Sequence, residues 1–492
     1  MSKYDQVFYP GHPFIQTHPD RLATIAHLLG LRPPAIDRCR VLELACGDGG
    51  NLIPMALTLP DARFTGVDLA AQPIKQGHQT IASLRLANIT LQQADLLDFH
   101  PDGEFDYIIT HGLYSWCPSP VRDAILRITS GHLAPNGIAY VSYNALPGGR
   151  VRQMLREMML FHARDFTDPM ERATQARALL RLISEGRAKP DVFTAWVQSE
   201  VERMTDRDLW LLFHDELGEV YEPVYLHEFT AHAERHGLQY LADANLYNLQ
   251  PANLTPDAQQ AIADITLDDR VLRQQYADFV LCRRFHHTLL CRQALAIDAL
   301  PTPGRLDKLY ISTTAAAVPD PTDLTRDVEV EFKGPLASGM KTAHPIAKAL
   351  MAALIEESPQ AIAFRDLLPR ARATRRRTEA AQILLATSLA GLTDLHTAPF
   401  PLTNKVTSHP IASPLARHQA SQGRALTTLT HCTVETNPGI ELDLLPLLDG
   451  KRSVPTLARK LKVSKEHLDQ VLKKLARLGL LAANSVLCFL MA

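Results

Sequence analysis

The stretch RVLELACGDGGN, residues 40–51, joins a short apolar run to a glycine-rich turn. Four further apolar runs follow, with helix-like segments between most of them: FTGVDL (64–69), ITLQQADLLD (89–98), FDYIITHG (105–112) and GIAYVSYN (137–144). Strands that alternate with helices at this spacing predict parallel βαβ units, and so an α/β domain with a Rossmann-like sheet. Such sheets bind ligands beyond the carboxyl ends of their strands, where the strand order reverses.

Three features of the sequence lie at those predicted carboxyl ends. The turn from Gly47 to Gly50 lets the backbone bend sharply and approach a ligand closely. Asp68 closes the second predicted strand, where a carboxylate can accept hydrogen bonds from both hydroxyls of a ribose. Asp95 closes the third strand and is placed to meet an adenine amino group or its surroundings. Together these features predict a cofactor that contains a nucleoside.

Two cofactors could explain the glycine-rich turn. A dinucleotide dehydrogenase and an S-adenosylmethionine-dependent methyltransferase both place glycines there, and this chain lacks the first glycine of either pattern. An acid at Glu43 suits the cationic S-adenosylmethionine but would repel a pyrophosphate, so it favours the methyltransferase. The predicted cofactor-binding residues are Glu43, Ala45, Gly47, Gly49, Asn51, Asp68, Leu69, Asp95, Leu96 and His111.

Aromatic residues after the fourth strand are the candidates for the reacting end of the cofactor. Tyr114 and Trp116 could wall in an amine or alkylammonium group through cation–π contact, although such rings also pack in cores. His111 could take part in catalysis or contact the cofactor, and Tyr143 and Asn144 could face the same pocket. Four N-terminal residues could form a lid over the cofactor or simply pack on the sheet: Tyr4, Tyr9, Phe14 and His18.

The segment HEFTAH, residues 227–232, resembles a zinc-protease helix motif. That motif needs its second histidine four residues after the first, so that both lie on one helix face. Position 231 is Ala and His232 is one residue too far. We therefore predict no metal site from this pair.

Composition limits the classes of partner and compartment. The formal net charge is −2, so no global basic field attracts nucleic acid, and no apolar run reaches the ~18–20 residues of a membrane span. The seven cysteines are scattered without a CxxC pair, which argues against a disulfide framework or a zinc knuckle. These features predict a cytoplasmic protein that has no nucleic acid partner.

Several segments together resemble a known family. VLELACGDGGNLIP, FTGVDL, FDYIITHGLYSW and GIAYVSYNALPGG are similar to class I S-adenosylmethionine-dependent methyltransferases that carry a methyltransferase regulatory domain, among them the rickettsial outer-membrane-protein lysine methyltransferases. RRFHHTLLC (283–291) and LLPLLDG (444–450) extend the resemblance toward the C-terminus. Ala45 departs from the more usual glycine. The resemblance implies a protein substrate that presents lysine; a small-molecule methyltransferase and a cofactor-sensing regulator are the alternatives.

The resemblance also implies a domain order. After strand five the sheet should continue with a helix and an antiparallel hairpin, and residues 226–244 fit a helix, a cap at Gly237 and a strand. The expected domains are a methyltransferase domain (1–148 and 226–300), a helical insertion (149–225), a mixed α/β middle or regulatory domain (301–410) and a winged-helix-like C-terminal domain (411–492). The insertion helices either mediate a homodimer, as the resemblance implies, or pack on the core.

The last domain has the order of a helix–turn–helix. Ser464 is a plausible N-cap and Gly479 lies near the end of the final predicted helix. Its basic residues could bind DNA, but the near-neutral net charge favours a solvated face on a protein-interaction module. The basic residues concerned are Lys465, Lys473, Lys474 and Arg477.

Overall fold

The computed structural model describes residues 9–206, 208–249, 254–318, 328–335, 338–435 and 439–483. Its central element is a seven-stranded sheet of order β3-β2-β1-β4-β5-β7-β6. The strands are β1 (Arg40–Leu44), β2 (Arg63–Asp68), β3 (Ile89–Gln93), β4 (Phe105–Thr110), β5 (Leu133–Asn144), β6 (Leu238–Asp243) and β7 (Phe285–Arg292). The first five are parallel, and β7 runs antiparallel to both β5 and β6. The predicted α/β class, Rossmann-like sheet and closing hairpin are confirmed.

The sheet is covered on both faces, which explains its almost uniformly apolar parallel strands. In β1, Val41 packs into one buried cluster while Leu42 and Leu44 pack into the other, because successive side chains of a strand point to opposite faces. The helices that connect the parallel strands, with the helix that precedes them, are α1 (Pro19–Leu28), α2 (Leu52–Thr58), α3 (Ala71–Leu84) and α4 (Ser119–His132). The strand order reverses between β1 and β4, and this places the switch point at the glycine-rich turn.

The predicted insertion is helical and has a buried cluster of its own, centred on side chains such as Leu155, Leu180 and Val201. Its helices are α5 (Gly149–His162), α6 (Pro169–Glu185), α7 (Val192–Thr205) and α8 (Leu209–Glu216). The chain then returns to the sheet through α9 (Leu226–Arg235), α10 (Pro256–Thr266) and α11 (Arg270–Leu281). Because β5 ends at Asn144, the insertion leaves the sheet at its carboxyl edge.

The middle region packs directly on the sheet domain. Its Ile311, Leu350 and Phe364 belong to the same buried cluster as Leu22 and Val41. Its strands are β8 (Tyr310–Ser312), β9 (Ala316–Val318), β10 (Val330–Lys333), β11 (Gly339–Thr342), β12 (Ile362–Ala363) and β13 (Asp394–His396), in two small sheets. Its helices are α12 (Pro345–Glu357), α13 (Phe364–Arg370) and α14 (Arg377–Leu389).

The C-terminal region has a separate apolar cluster formed by its helices. Its elements are α15 (Pro414–Ser421), β14 (Leu426–Thr427), β15 (Thr433–Val434), α16 (Ile440–Leu444), α17 (Val454–Leu461) and α18 (Lys465–Arg477). The predicted N-cap is confirmed, since the Ser464 hydroxyl accepts the His467 N–H at 3.1 Å. After α18, Leu481 and Ala482 form single β-bridges, and residues 484–492 lie outside the described residues. Among the described helices, none combines the length and apolar character of a membrane span.

Candidate functional site

A cavity of about 1080 Å³ opens at the carboxyl ends of β1, β2 and β4. All the predicted cofactor-binding residues except Gly49 line it, and so does Trp116. Its size is at the upper end of what small-molecule sites use. Most of the residues predicted from the sequence to form the site, between residues 43 and 116, therefore line a single cavity.

The glycine-rich turn shapes the floor of this cavity. Ala45, Gly47 and Gly49 have φ of +62°, +56° and +75°, the left-handed region that favours glycine. A Cβ on Gly47 would meet nothing within 4 Å, whereas one on Gly49 would lie 2.9 Å from Leu91 Cδ1. Gly47 thus borders open space, and Gly49 allows the turn to pack against β3 rather than lining the cavity. The family pattern usually has a glycine where this chain has Ala45. The positive φ of Ala45 explains that preference, because glycine adopts such a φ without strain.

Glu43 is a buried carboxylate at the end of β1. Its Oε1 accepts a hydrogen bond from Asn51 Nδ2 at 2.7 Å, while Oε2 has no hydrogen-bond partner among the described residues. Burial, together with the nearby carboxylates of Asp68 and Asp48, raises the pKa of Glu43 to about 8, although the Asn51 hydrogen bond opposes the rise. A buried carboxylate is stable in its charged form only beside a cation or donor. The cavity therefore fits a ligand that carries positive charge at this point.

Asp68 and Asp95 are both oriented by backbone groups. Asp68 accepts the N–H of Gly47 through Oδ2 at 2.9 Å and the N–H of Ala70 through Oδ1 at 2.8 Å. Asp95 accepts the Leu97 N–H at 2.9 Å. These bonds hold two carboxylates at fixed places on the cavity wall, and each oxygen keeps capacity to accept further donors. A nucleoside with hydroxyl and amino donors fits this arrangement.

An N-terminal segment covers the glycine-rich turn. Gly11 contacts Gly50 so closely that a Cβ on Gly50 would lie 2.4 Å from the Gly11 carbonyl carbon. The Phe14 N–H donates to Asn51 Oδ1 at 3.0 Å, and the Phe14 ring stacks on His111 with 3.8 Å between ring centroids. Tyr9 also lines the cavity. Of the other two predicted lid residues, His18 caps α1 instead and Tyr4 lies outside the described residues.

His111 lies on the cavity wall beneath Phe14. Its Nδ1 is 3.0 Å from the Tyr140 hydroxyl and 3.2 Å from the Ser142 hydroxyl. Desolvation, with a smaller effect of His287, lowers the pKa of His111 to about 3. The imidazole is neutral at physiological pH and too weak a base to take a proton from an ammonium group. His111 is placed to contact a ligand in the cavity, but it is not suited to act as a general base.

Tyr114 corrects the sequence-based expectation. The structure places its side chain away from the cavity, buried against Phe229 with 5.0 Å between ring centroids. Its hydroxyl lies 2.8 Å from His232 Nδ1. Tyr143 is buried in the same cluster, whereas its neighbour Asn144 lines the cavity. Tyr114 is therefore a packing residue in this structure and does not wall the acceptor side.

Trp116 faces the cavity and meets residues that the sequence did not single out. Its ring centroid lies 4.8 Å from that of Tyr221, and the guanidinium carbons of Arg156 and Arg152 lie 4.9 and 5.2 Å from the Trp116 centroid. The cations that contact the Trp116 ring in this structure are therefore arginines of the chain itself, whereas the sequence predicted an amine or alkylammonium group there. Tyr221 and Arg152 also line the cavity.

Paired charges complete this wall. Arg152 binds Glu216 through two hydrogen bonds of 2.6 and 3.0 Å, and Arg284 lies 2.7 Å from Glu200. These residues line the cavity but are separated by up to 132 positions, from Arg152 to Arg284. The sequence offers one indication of these residues: the insertion follows the end of β5, and so it begins at the carboxyl edge of the sheet where the cavity lies.

Comparisons with known proteins agree with this geometry. Three protein-family models match the chain: a methyltransferase domain over residues 41–137, a predicted methyltransferase regulatory domain over 209–292 and a PKMT C-terminal winged helix domain over 408–467.

Individual relatives extend the match along the chain. An uncharacterized protein of Rickettsia prowazekii is 33% identical over 373 residues, which are 74% of this chain and 67% of that protein. A second uncharacterized protein of the same organism is 36% identical over 234 residues, 47% of this chain and 94% of that protein. The solved structure of PKMT2 from Rickettsia typhi in complex with AdoHcy is 28% identical, with a TM-score of 0.86, and the match covers 96% of this chain and 100% of that one.

Proposed function

Because the chain belongs to the family of S-adenosylmethionine-dependent methyltransferases with a methyltransferase regulatory domain and a PKMT-type winged helix, we propose that it methylates lysine side chains of a protein. Membership confirms that the chain is a methyltransferase and that S-adenosylmethionine is its methyl donor. The observation that carries the lysine proposal is the match over almost the whole chain to PKMT2, a protein lysine methyltransferase.

The donor end of the cavity is the part near the glycine-rich turn. Here Glu43 would lie opposite the positive charge of the cofactor, Asp68 would accept the ribose hydroxyls, and Asp95 with Leu96 would meet the adenine. When bound, S-adenosylmethionine supplies a methyl group activated by its sulfonium. The support for these roles is the orphaned Oε2 of Glu43 and the backbone-oriented carboxylates at neighbouring strand ends.

The acceptor end of the cavity is the part bordered by Trp116, Asn144 and the insertion. Methyl transfer needs a neutral amine held in line with the methyl carbon and shielded from water. The rings of Trp116 and Tyr221 provide a wall against which the lysine stem would pack. Glu200 and Glu216 are each paired with an arginine. They would therefore stabilise the protonated form of the lysine less than free carboxylates would, and the neutral amine needed for transfer would be less disfavoured.

The decisive test separates a protein lysine from other acceptors. The purified chain would be incubated with methyl-labelled cofactor and with cell extract divided into protein and metabolite fractions. We expect label in protein, mass-spectrometric methyllysine, and loss of labelling after the acceptor lysines are acetylated. Label confined to metabolites, or to protein residues other than lysine, would reject the proposal while leaving the methyltransferase assignment intact.

We also propose that the chain forms a homodimer through the insertion. Phe161 and Leu182 are 71% and 66% exposed, and α5 and α6 border a groove of about 460 Å³ lined by Met158 and Ile183. Apolar area of this kind usually marks a contact surface. Light scattering after gel filtration should give a dimer for the wild type and for the distant Lys308→Glu, and a monomer for Phe161→Glu. A wild-type monomer would contradict the proposal.

Finally, we propose a reducing cytoplasm as the site of action. Six cysteines are described and all are free thiols, four of them buried. Treatment of the folded chain with a thiol reagent should modify Cys282 first, because it is the exposed one. Detection of a disulfide in protein taken from its native cells would argue against this compartment.

A further inference from the structure

Two histidines four residues apart, His232 on α9 and His236 at its C-cap, face a carboxylate of α4. His232 Nε2 lies 3.4 Å from Asp123 Oδ1, and His236 Nε2 lies 3.0 Å from the same oxygen. We infer that Asp123, His232 and His236 bind a divalent transition-metal ion, with zinc the best match, at a site separate from the methyl-transfer cavity. None of the three lines that cavity.

The geometry suits such an ion. One ligand atom from each side chain lies within 4.8 Å of the others. Zinc binds imidazole nitrogen and carboxylate oxygen at about 2.0–2.2 Å, which separates tetrahedral ligands by ~3.3 Å. The distances from Asp123 Oδ1 to the two histidine Nε2 atoms, 3.4 and 3.0 Å, lie on either side of that value. Two nitrogens and one oxygen leave a position for water, so the site is open rather than closed.

A neighbouring hydroxyl orients one of the ligands. The Tyr114 hydroxyl lies 2.8 Å from His232 Nδ1, on the side of the ring opposite to the carboxylate. In the metal-bound form, Nδ1–H would donate to this oxygen, and the lone pair of Nε2 would be directed at the ion beside Asp123. Metal-bound histidines usually have such a partner on their second nitrogen, and it fixes the tautomer and the ring orientation. Tyr114, which lies outside the cavity, would therefore be a positioning residue for His232.

The charges around the cluster act in both directions. The Asp123 side chain supplies the negative charge, with Oδ1 facing both histidines. Arg235, next to His236 in the chain, is the nearby positive charge that would oppose a bound cation.

The site connects two helices that pack on the same face of the sheet. Asp123 belongs to α4, which begins three residues after Trp116, while His232 belongs to α9 and His236 caps its C-terminus. A bound ion would join these helices next to Tyr114, and hence brace the turn that carries Trp116. The HEFTAH motif pairs His232 with His227, whereas the histidine that shares the Asp123 oxygen with His232 is His236, four residues further along the chain.

The test uses the full-length, tag-free chain, stripped of metal and titrated with Co²⁺ and Zn²⁺ by visible absorption and calorimetry. We expect one saturable equivalent per chain, a cobalt spectrum of nitrogen and oxygen ligands, and a zinc-dependent rise in melting temperature. Asp123→Ala and His236→Ala should lose that equivalent, while Tyr114→Phe should bind ~10-fold more weakly. His100→Ala, at an exposed histidine elsewhere, is the matched control and should bind as wild type.

Circular dichroism of each variant separates lost ligands from lost folding. The inference is overturned by the absence of a saturable equivalent in the wild type, by unchanged binding in the correctly folded Asp123→Ala and His236→Ala variants, or by a thiolate charge-transfer band, which would place the metal on cysteines.

Discussion

The donor end and the acceptor end of the cavity are built in opposite ways. The donor end takes its polar groups from the ends of β1, β2 and β3, within residues 43–96. The acceptor end combines the turn after β4 with three insertion helices and the start of β7. A ligand common to a whole class of enzymes can be held by a short local motif. A wall that suits one acceptor is instead assembled by packing of distant segments.

The two ends also differ in electrostatics. Glu43 at the donor end is buried with one oxygen unpartnered among the described residues, whereas Glu216 at the acceptor end is paired bidentately with Arg152. A buried carboxyl group that has no ion-pair partner among the described residues can ionise beside a cationic ligand, whereas a paired carboxylate contributes little net charge. On the proposed function, the donor end would therefore select its ligand by charge and the acceptor end mainly by shape.

The largest effect should come from removing the donor-end carboxylate of Asp68. Asp68→Ala deletes the acceptor of two backbone N–H groups and the proposed acceptor of the ribose hydroxyls. Two charge-assisted hydrogen bonds to the ligand are worth roughly 4 kcal/mol, so cofactor affinity should fall ~10³-fold by calorimetry. Asp61→Ala, on an exposed loop, is the control and should bind normally. Unchanged affinity in Asp68→Ala would move the ribose away from β2.

A smaller effect, confined to turnover, should follow a change at the acceptor end. Trp116→Ala removes the ring that packs on Tyr221, so the acceptor should be misplaced and turnover should fall ~10²-fold. Cofactor affinity should stay within ~3-fold of wild type, because the donor-end contacts are untouched. Equal losses of affinity and turnover would show that the two ends are not separable.

The raised pKa of Glu43 predicts a pH-dependent contribution to stability. Its pKa is about 8 in the folded chain against an ordinary 4.5, so between these values the folded state holds a proton that the unfolded state releases. The contribution of Glu43 to the stability of the cofactor-free chain should therefore be fully present below about pH 4.5 and be lost as pH rises toward 8. Melting temperatures should show this decline relative to Glu43→Gln, which cannot titrate. Parallel curves for the two proteins would contradict the raised pKa.

The smallest effect should come from His431, a residue of the C-terminal region that contacts the donor-end network. Its Nε2 lies 2.9 Å from Asn51 Oδ1, which also accepts the Phe14 N–H. Loss of one hydrogen bond of about 1 kcal/mol in His431→Ala should weaken cofactor binding ~5-fold. His418→Ala, on α15, provides the comparison and should have no effect on cofactor affinity. A loss beyond ~100-fold would mean that this region controls the site more strongly than a single contact can.

Trp116 and Tyr114 show where prediction from sequence ends. Both belong to one short turn after β4 and both are aromatic, so residue type and spacing predict the same role for each. In the structure Trp116 faces the cavity and Tyr114 packs against α9. The direction of a side chain in such a turn depends on the neighbours that surround it. Those neighbours, Tyr221 and Phe229, lie more than 100 residues further along the chain.

The sequence by itself determined the alternating strands and helices, the glycine-rich turn and the acids at the strand ends, and these identify the class of enzyme and its methyl donor. This was possible because hydrophobic periodicity and turn chemistry act over a few neighbouring residues. Only the tertiary structure decided which side chains form the acceptor wall, that His431 reaches Asn51, and that His232 meets Asp123 and His236. Such groupings arise from the packing of helices distant in sequence, and no local pattern specifies them.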